Sequence, residues 1–251
     1  MTVVMDIGNA RIKWARVSDG ALREAGEALH VDAAQQAFGA LAEALPERAD
    51  RVVVANVAGE VMASRLVTFS MERWGVEPEF VEPAGARWGV TCGYRDPASL
   101  GADRWAAVVA VRRLTSGAAC VIDAGTAVTL DVVDGAGRHL GGLILAGPRI
   151  IAAALHRETQ GIGATQGVSG VPQGIELLGR STDEAVAHGA MLGLAGAIER
   201  ALAAVAEALG AAPSVYLTGG DGELLTPWLE TRPQYRANLV LEGLAFMASE
   251  D

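Results

Sequence analysis

The chain has 251 residues, 51% of them apolar, and a formal net charge of −10. That is material for one large or two ordinary domains. It is too acidic for a nucleic-acid surface, since no Lys/Arg cluster is longer than Arg112-Arg113.

Two cysteines, Cys92 and Cys120, lack metal or redox spacing and exclude a disulfide framework. Asp6 interrupts the N-terminal apolar stretch, so no signal peptide is expected. The most apolar helical stretch, Gly189 to Ile198, is expected to be too short to span a bilayer. The protein is therefore expected to be soluble and cytoplasmic, with neither membrane nor nucleic acid as a partner.

In chain order, Thr2-Val3-Val4-Met5 is an apolar run that Asp6-Ile7-Gly8-Asn9-Ala10 turns, and Ile12 to Val17 leaves as a second β-prone run. It holds the single lysine, Lys13, against nineteen arginines. Val31 to Leu45 reads as an alanine-rich helix stopped by Pro46, Arg51 to Val57 as a buried strand, Glu60 to Trp74 as a helix, and Glu79-Phe80-Val81 as a strand. This alternation indicates an α/β domain. Trp88 to Pro97 is irregular, Gly-rich and furnished with aromatic and charged side chains. Ser99 to Arg104 then opens a helix to about Leu114, which sets Asp103 in its first turn. There the helix field favours an ionised carboxylate, whether the residue is functional or simply suits that position.

Ser116-Gly117 marks a boundary, dividing the chain into domains 1–115 and 116–251. The second begins with Cys120 to Asp131, in which an apolar run stops at Asp123, turns through Ala124-Gly125-Thr126 and leaves through Thr129. Aligning Asp6 with Asp123 also aligns Gly8 with Gly125, Asn9 with Thr126 and Ala10 with Ala127. One Asp-x-Gly is an ordinary hairpin turn. Two copies, each opening half the chain, indicate a duplicated domain with phosphate loops facing a shared cleft. The glycines would bring backbone close to a ligand through angles other residues avoid, and the carboxylates and hydroxyls suit a phosphate with its cation.

His139 to Leu145 reads as the next strand, and Pro148 as the first residue of the helix Arg149 to Leu155. Gly161 to Gly174 has the length of a flap. Ser181 and Glu184 have capping-box spacing at the start of the longest helix, which runs to about Leu209. Thr182 is either a neighbour of that cap or a hydroxyl for the cleft. Gly189, Gly193 and Gly196 on one helix face indicate close backbone packing, across a subunit interface or within the chain. Val215 to Asp221 is a strand ending in a glycine pair, and Ala237 to Met247 a closing helix.

None of the three small-residue turns is a Walker loop or a dinucleotide fingerprint, and no nucleophile sits in an elbow motif. Cation-assisted phosphoryl chemistry fits best, with Asp6 and Asp123 near cations and Lys13 near the transferring phosphate. Asp6-Ile7-Gly8-Asn9-x-x-x-Lys13, Gly93-Tyr94-x-x-Pro97-x-x-Leu100-Gly101-x-Asp103-Arg104 and Asp123-x-Gly125-Thr126-Ala127-x-Thr129 resemble signature blocks of type III pantothenate kinases. Gly141-Gly142-x-Ile144, Ser181-Thr182-x-x-Ala185 and Thr218-Gly219-Gly220 match further blocks in the same order.

The resemblance implies an α/β protein of two ribonuclease H-like, actin-like halves, with mixed sheets flanked by helices and a cleft between them, working as a homodimer. It implies ATP-dependent phosphorylation of pantothenate to 4′-phosphopantothenate, the first step of coenzyme A synthesis, with Mg2+ and a monovalent cation, K+ or NH4+. Asp103 would be the general base. Tyr94, Gly101, Ala102, Arg104 and Thr182 would bind pantothenate with it. Asp6, Ile7, Gly8, Asn9, Ala10, Arg11, Ile12, Lys13 and Thr126 would bind ATP, and Asp123 the monovalent cation. Ala10 stands where the family usually has Ser or Thr, and Gly147-Pro148 where it usually has Pro-Gly. Another small-molecule kinase of this fold would share both hairpins but not the Tyr94–Arg104 block. A catalytically weak nucleotide-binding regulator of the Bvg accessory factor type would not need Asp103, Asp123 and Lys13 together.

Overall fold

A computed structural model describes residues 1–29, 34–164, 167 and 170–250, without the side chains of 34–37 and 40. In chain order the elements are β1 (Thr2–Ile7), β2 (Arg11–Ser18), β3 (Ala21–Leu29), α1 (Ala34–Ala44), β4 (Arg51–Asn56), α2 (Glu60–Trp74), β5 (Glu79–Phe80), β6 (Ala86–Arg87), β7 (Val90–Thr91) and α3 (Ala102–Leu114). There follow β8 (Ala119–Ala124), β9 (Ala127–Val133), β10 (His139–Ala146), α4 (Pro148–Glu158), α5 (Thr182–Leu209), β11 (Ser214–Thr218), α6 (Gly222–Leu225), β12 (Gln234–Tyr235) and α7 (Leu239–Glu250). Residues 31–33 of the first expected helix, and 165–166 and 168–169 of the expected flap, lie outside the described residues.

The chain resolves into two compact units, Met1–Ser116 with Gly137–Leu140 and Asn238–Asp251, and Gly117–Ala136 with Gly141–Ala237. Each holds a five-stranded sheet, ordered β3-β2-β1-β4-β5 in the first and β10-β9-β8-β11-β12 in the second. The two orders are one topology written twice. The opening strand pairs antiparallel with its hairpin partner (β1 with β2, β8 with β9) and parallel with a later strand (β1 with β4, β8 with β11).

In the first unit β1 and β4 are nearly continuous buried runs, as strands covered on both faces must be. Val3, Met5, Ile7, Ile12, Trp14, Val52 and Val54 form a core with Leu41, Met62 and Leu66 of α1 and α2. The last helix, α7, folds with this unit and packs on α3 and β1. A Cβ on Gly243 would collide with the Ala106 carbonyl oxygen, so the two helices meet backbone to backbone. The third strand, β3, has no counterpart among the elements expected from sequence. Arg23, Glu24 and Glu27 break its apolar alternation because it is an exposed edge, where charge guards against stray pairing.

In the second unit Cys120, Ile122, Val128, Leu130 and Val132 pack on Met191, Leu194, Ile198 and Leu202 of α5. That helix corrects the expectation that the apolar stretch is too short for a bilayer. With 28 residues and a mean hydropathy of 1.4 in its most apolar window, it is long and apolar enough to cross one. Its buried face is instead the core of this unit. Ser181 caps it by accepting from the Glu184 amide at 3.2 Å, while the Glu184 carboxylate accepts from the Arg180 amide at 2.6 Å.

Gly243→Ala is expected to cost about 1–3 kcal/mol through forced overpacking of α7 on α3. Gly39→Ala, in open space within α1, is expected to gain about 0.5–1 kcal/mol from helix propensity. Denaturant midpoints of the two variants check both signs.

Candidate active site

The hairpins hold both proposed phosphate loops, and they differ in length. Residues 8–10 connect β1 to β2, whereas residues 125–126 connect β8 to β9. The Gly8 amide donates to Arg11 O at 3.0 Å and the Gly125 amide to Ala127 O at 3.1 Å. Neither glycine has a positive φ. Backbone freedom is therefore not their reason, which corrects that expectation. At Gly125 a side chain would meet only Ala127 O at 3.5 Å, so what glycine leaves is space over the turn. The extra residue also corrects the alignment of the two loops past Gly8. Asp6 faces Lys13 across its ladder and Asp123 faces Thr129, so Lys13 corresponds to Thr129.

Lys13 lies in β2 between two carboxylates, with Asp6 opposite on β1 and Glu27 opposite on β3. Directly paired residues share a sheet face. Glu27 also pairs with Arg11. The row Asp6–Lys13–Glu27 thus sets the lysine and two carboxylates on one face of the sheet, near the end where the turn opens.

The same end of the first unit carries the helix with Asp103. The Val57 amide donates to Ile7 O at 3.0 Å, and the Gly101 α-carbon faces the Val57 side chain. The end of β1, the end of β4 and the start of α3 thus meet. Gly101 is the N-cap and Ala102 the first residue of α3, buried behind it. Asp103 Oδ1 accepts from the Arg104 amide at 2.7 Å and lies over Gly101, where a Cβ would displace it. Arg104 is buried (7% exposed). It donates to the Tyr94 hydroxyl at 2.8 Å, and its guanidinium carbon lies 5.5 Å from that ring's centre. Tyr94 in turn stacks on His139 at 5.8 Å between ring centres.

His139 is the residue that sequence reasoning missed as part of this cluster. It is buried at the start of β10, and a Cβ on Gly93 would collide with its carbonyl oxygen. Its only sequence signal was a histidine opening a strand.

In the second unit Asp123 ends β8 half-buried. Gly219, at φ +94°, lies against it: a Cβ there would strike Asp123 Oδ1 and the Ala124 carbonyl oxygen, so no other residue fits. The turn is fixed by Asp221 N donating to Ala124 O at 2.8 Å and by an Arg149–Asp221 ion pair at 2.9 Å. The Gly147 amide donates to Thr126 O at 3.2 Å, and a Cβ on Gly147 would collide with that oxygen. This close approach requires glycine at 147, and Pro148 follows as the first residue of α4. The amino end of an 11-residue helix thereby abuts the Gly125–Thr126 turn, an arrangement favourable to anions. Alongside lies a cavity of about 460 Å3 with Ala152, Ala153, Ala187, Ala190, Met191 and His156 on its walls.

Thr182 is the exposed first residue of α5 in the second unit, while Tyr94 and Asp103 belong to the first. Among the described residues no three His, Cys, Asp or Glu side chains cluster as a metal site. Asp123 Oδ1 and the Ala124 carbonyl oxygen lie together beside Gly219, and Thr129 is paired with Asp123 across the ladder; oxygens of this kind suit a hard cation. Burial, with the Asp131 charge adding to it, pushes the Cys120 thiol far above the ordinary range, so it is inert packing.

A family profile described as type III pantothenate kinase matches residues 2–204. The chain is 36% identical over 259 residues to the type III pantothenate kinase of Nitrosococcus oceani, covering 100% of this chain and 94% of that one. It is 37% identical to that of Alkalilimnicola ehrlichii, covering 99% and 98%. Among solved structures, one from Campylobacter jejuni described as a Baf family transcriptional activator superposes with a TM-score of 0.62 at 22% identity, covering 99% and 98%. The ethanolamine utilization protein EutJ of Carboxydothermus hydrogenoformans superposes at 0.57 and 12% identity, covering 97% and 88%. These last two likenesses speak for the fold alone, two α/β units that each hold a mixed five-stranded sheet. By the profile match and the full-length identities, the chain belongs to the type III pantothenate kinase family.

Proposed function

We propose that this protein transfers the γ-phosphate of ATP to the primary hydroxyl of pantothenate, giving ADP and 4′-phosphopantothenate, the first step of coenzyme A synthesis in the cytoplasm. The observation that carries the reading is the Tyr94–Arg104–Asp103 cluster in a chain of this family. Asp103 takes the hydroxyl proton as the oxygen attacks the γ-phosphorus and the bond to the ADP oxygen breaks. The Arg104 amide donates to Oδ1 and so sets the orientation of the carboxylate that takes that proton. A buried guanidinium beside the base is suited to the carboxylate of pantothenate, and Tyr94 holds that guanidinium in place. Gly101 and Ala102 leave room beside the base, and Thr182 offers a further hydroxyl to pantothenate.

Residues 6–13 and Thr126 serve the ATP phosphates. Lys13, on the same sheet face as its two ladder partners Asp6 and Glu27, supplies charge as the γ-phosphoryl leaves. The apolar cavity beside α4 suits the nucleoside. Mg2+ accompanies the nucleotide, and Asp123 with its oxygen neighbours would hold a monovalent cation, which supplies charge neutralisation near the phosphates. A regulator reading rests on fold likeness at 22% identity, whereas the kinase reading rests on full-length relatives.

The protein is also proposed to act as a homodimer through α5. Cβ atoms placed on Gly189, Gly193 and Gly196 meet nothing within 4 Å among the described residues, so the stripe faces away from this chain's own backbone. Leu192 beside it is 50% exposed, and a bare helix face of this kind needs a cover.

ADP release from ATP and magnesium is expected only with pantothenate and potassium, and not when a large organic cation replaces potassium. No turnover in any of these mixtures would remove the kinase reading. Asp103→Asn is expected to lower turnover by about 10²–10⁴-fold with an unchanged melting midpoint, and wild-type turnover would remove the base assignment. Asp123→Ala should abolish the potassium response, and an intact response would move the cation elsewhere. Light scattering should find a dimer that Gly193→Arg converts to monomer; a monomeric wild type would sink the α5 interface.

A further inference from the structure

A second concave site lies in the first unit, at the other end of α3. Arg87, Trp88, Arg112, Arg113, Phe246 and Glu250 line most of a cavity of about 680 Å3. Among the described lining residues three guanidinium groups stand against one carboxylate, in a chain of net charge −10. Their planes are held. The Arg87 guanidinium carbon lies 4.2 Å from the centre of the Trp88 ring, and that of Arg113 lies 4.2 Å from the centre of Phe246. Arg112 donates to Thr115 O at 3.0 Å, using one of its five N–H groups. A guanidinium whose plane is set by an aromatic face is ordered, and its planar fork matches the oxygens of a phosphate bidentately.

The backbone here is also built under constraint. Trp88 has φ +53° and Gly89 φ +75° at the tip of the β6–β7 hairpin. A left-handed conformation is rare for a bulky residue and costs free energy that a site must justify. Gly137 (φ +83°) packs beneath, where a Cβ would strike Gly89 O. This places Trp88 and Arg87 on the rim with little freedom.

We propose that this cavity binds a phosphorylated organic anion of about nucleotide size. The volume falls within the range of small-molecule sites, about 300–1,000 Å3, and exceeds what a lone phosphate fills. The site stands about 16 Å from Asp103 along α3, taking 1.5 Å of rise per residue. It is joined to the Tyr94 cluster by α3 and by the segment Gly137–Leu140, so an occupant bears on the helix that carries Asp103.

The test is calorimetry on the full chain with its nucleotide site filled by magnesium and a non-hydrolysable ATP analogue. Inorganic pyrophosphate and adenosine 3′,5′-bisphosphate are the probes, with chloride of equal ionic strength as the control. One site is expected, at least tenfold tighter for the bisphosphate, and weakened at least tenfold by Arg87→Gln and by Arg113→Gln. Trp88→Asn is the companion variant, because asparagine tolerates the left-handed backbone. It should keep or raise the melting midpoint while weakening the bisphosphate, a split that a merely structural tryptophan would not produce. No binding of either probe, or binding unchanged in the arginine variants, overturns the site. Equal affinity for both probes overturns its organic part.

Discussion

The placement of both candidate loops depends on where a buried strand is first allowed a charge. In β1 and β8 the backbone is covered on both faces, so Val3 to Met5 and Ala119 to Ile122 are apolar and buried. Asp6 and Asp123 sit at the first place where solvent or a ligand reaches the chain. The parallel neighbours β4 and β11 end at the same edge, because parallel strands that begin together finish together. Their termini bring Val57 and Gly219 to the acids' side, and with them the start of α3 and the glycine-pair turn.

Small residues then decide how closely these pieces approach. Gly101 makes room for the Asp103 carboxylate, Gly147 for the Thr126 carbonyl, and Gly219 for the Asp123 carboxylate. In each case the neighbour is a polar atom of the site. The glycines of α5 are of another kind, since nothing of the described chain stands near them.

Much of this was legible in the sequence because periodicity reports burial. The strand at 51–56 and the helix at 60–74 declare themselves by apolar spacing and by Gly59 and Gly75 at the helix ends. β3 was not legible, because an exposed charged edge carries no such pattern, and β12 is only two residues long. The allegiance of α7 to the first unit was hidden for a different reason. Gly243 on Ala106 is a contact between residues distant in the chain, and only the folded backbone shows it. At the site, Asp103 and Tyr94 stood out through their motif. His139 and the arginines around Trp88 did not, because stacking leaves no spacing rule in sequence.

The unequal turns of the two hairpins carry a consequence for the register of the sheets. A residue gained or lost inside a strand would turn every following side chain to the opposite face and invert the core. Ile12 and Trp14 remain core residues, as do Val128 and Leu130, although the turns before them differ by one. The difference in length is therefore confined to the loop, and the lattice of the sheet is the same in both units. At one equivalent lattice point the first half offers an ammonium, Lys13, and the second a hydroxyl, Thr129. The two sheets share one frame and differ at that point in the group they present, one cationic and one neutral.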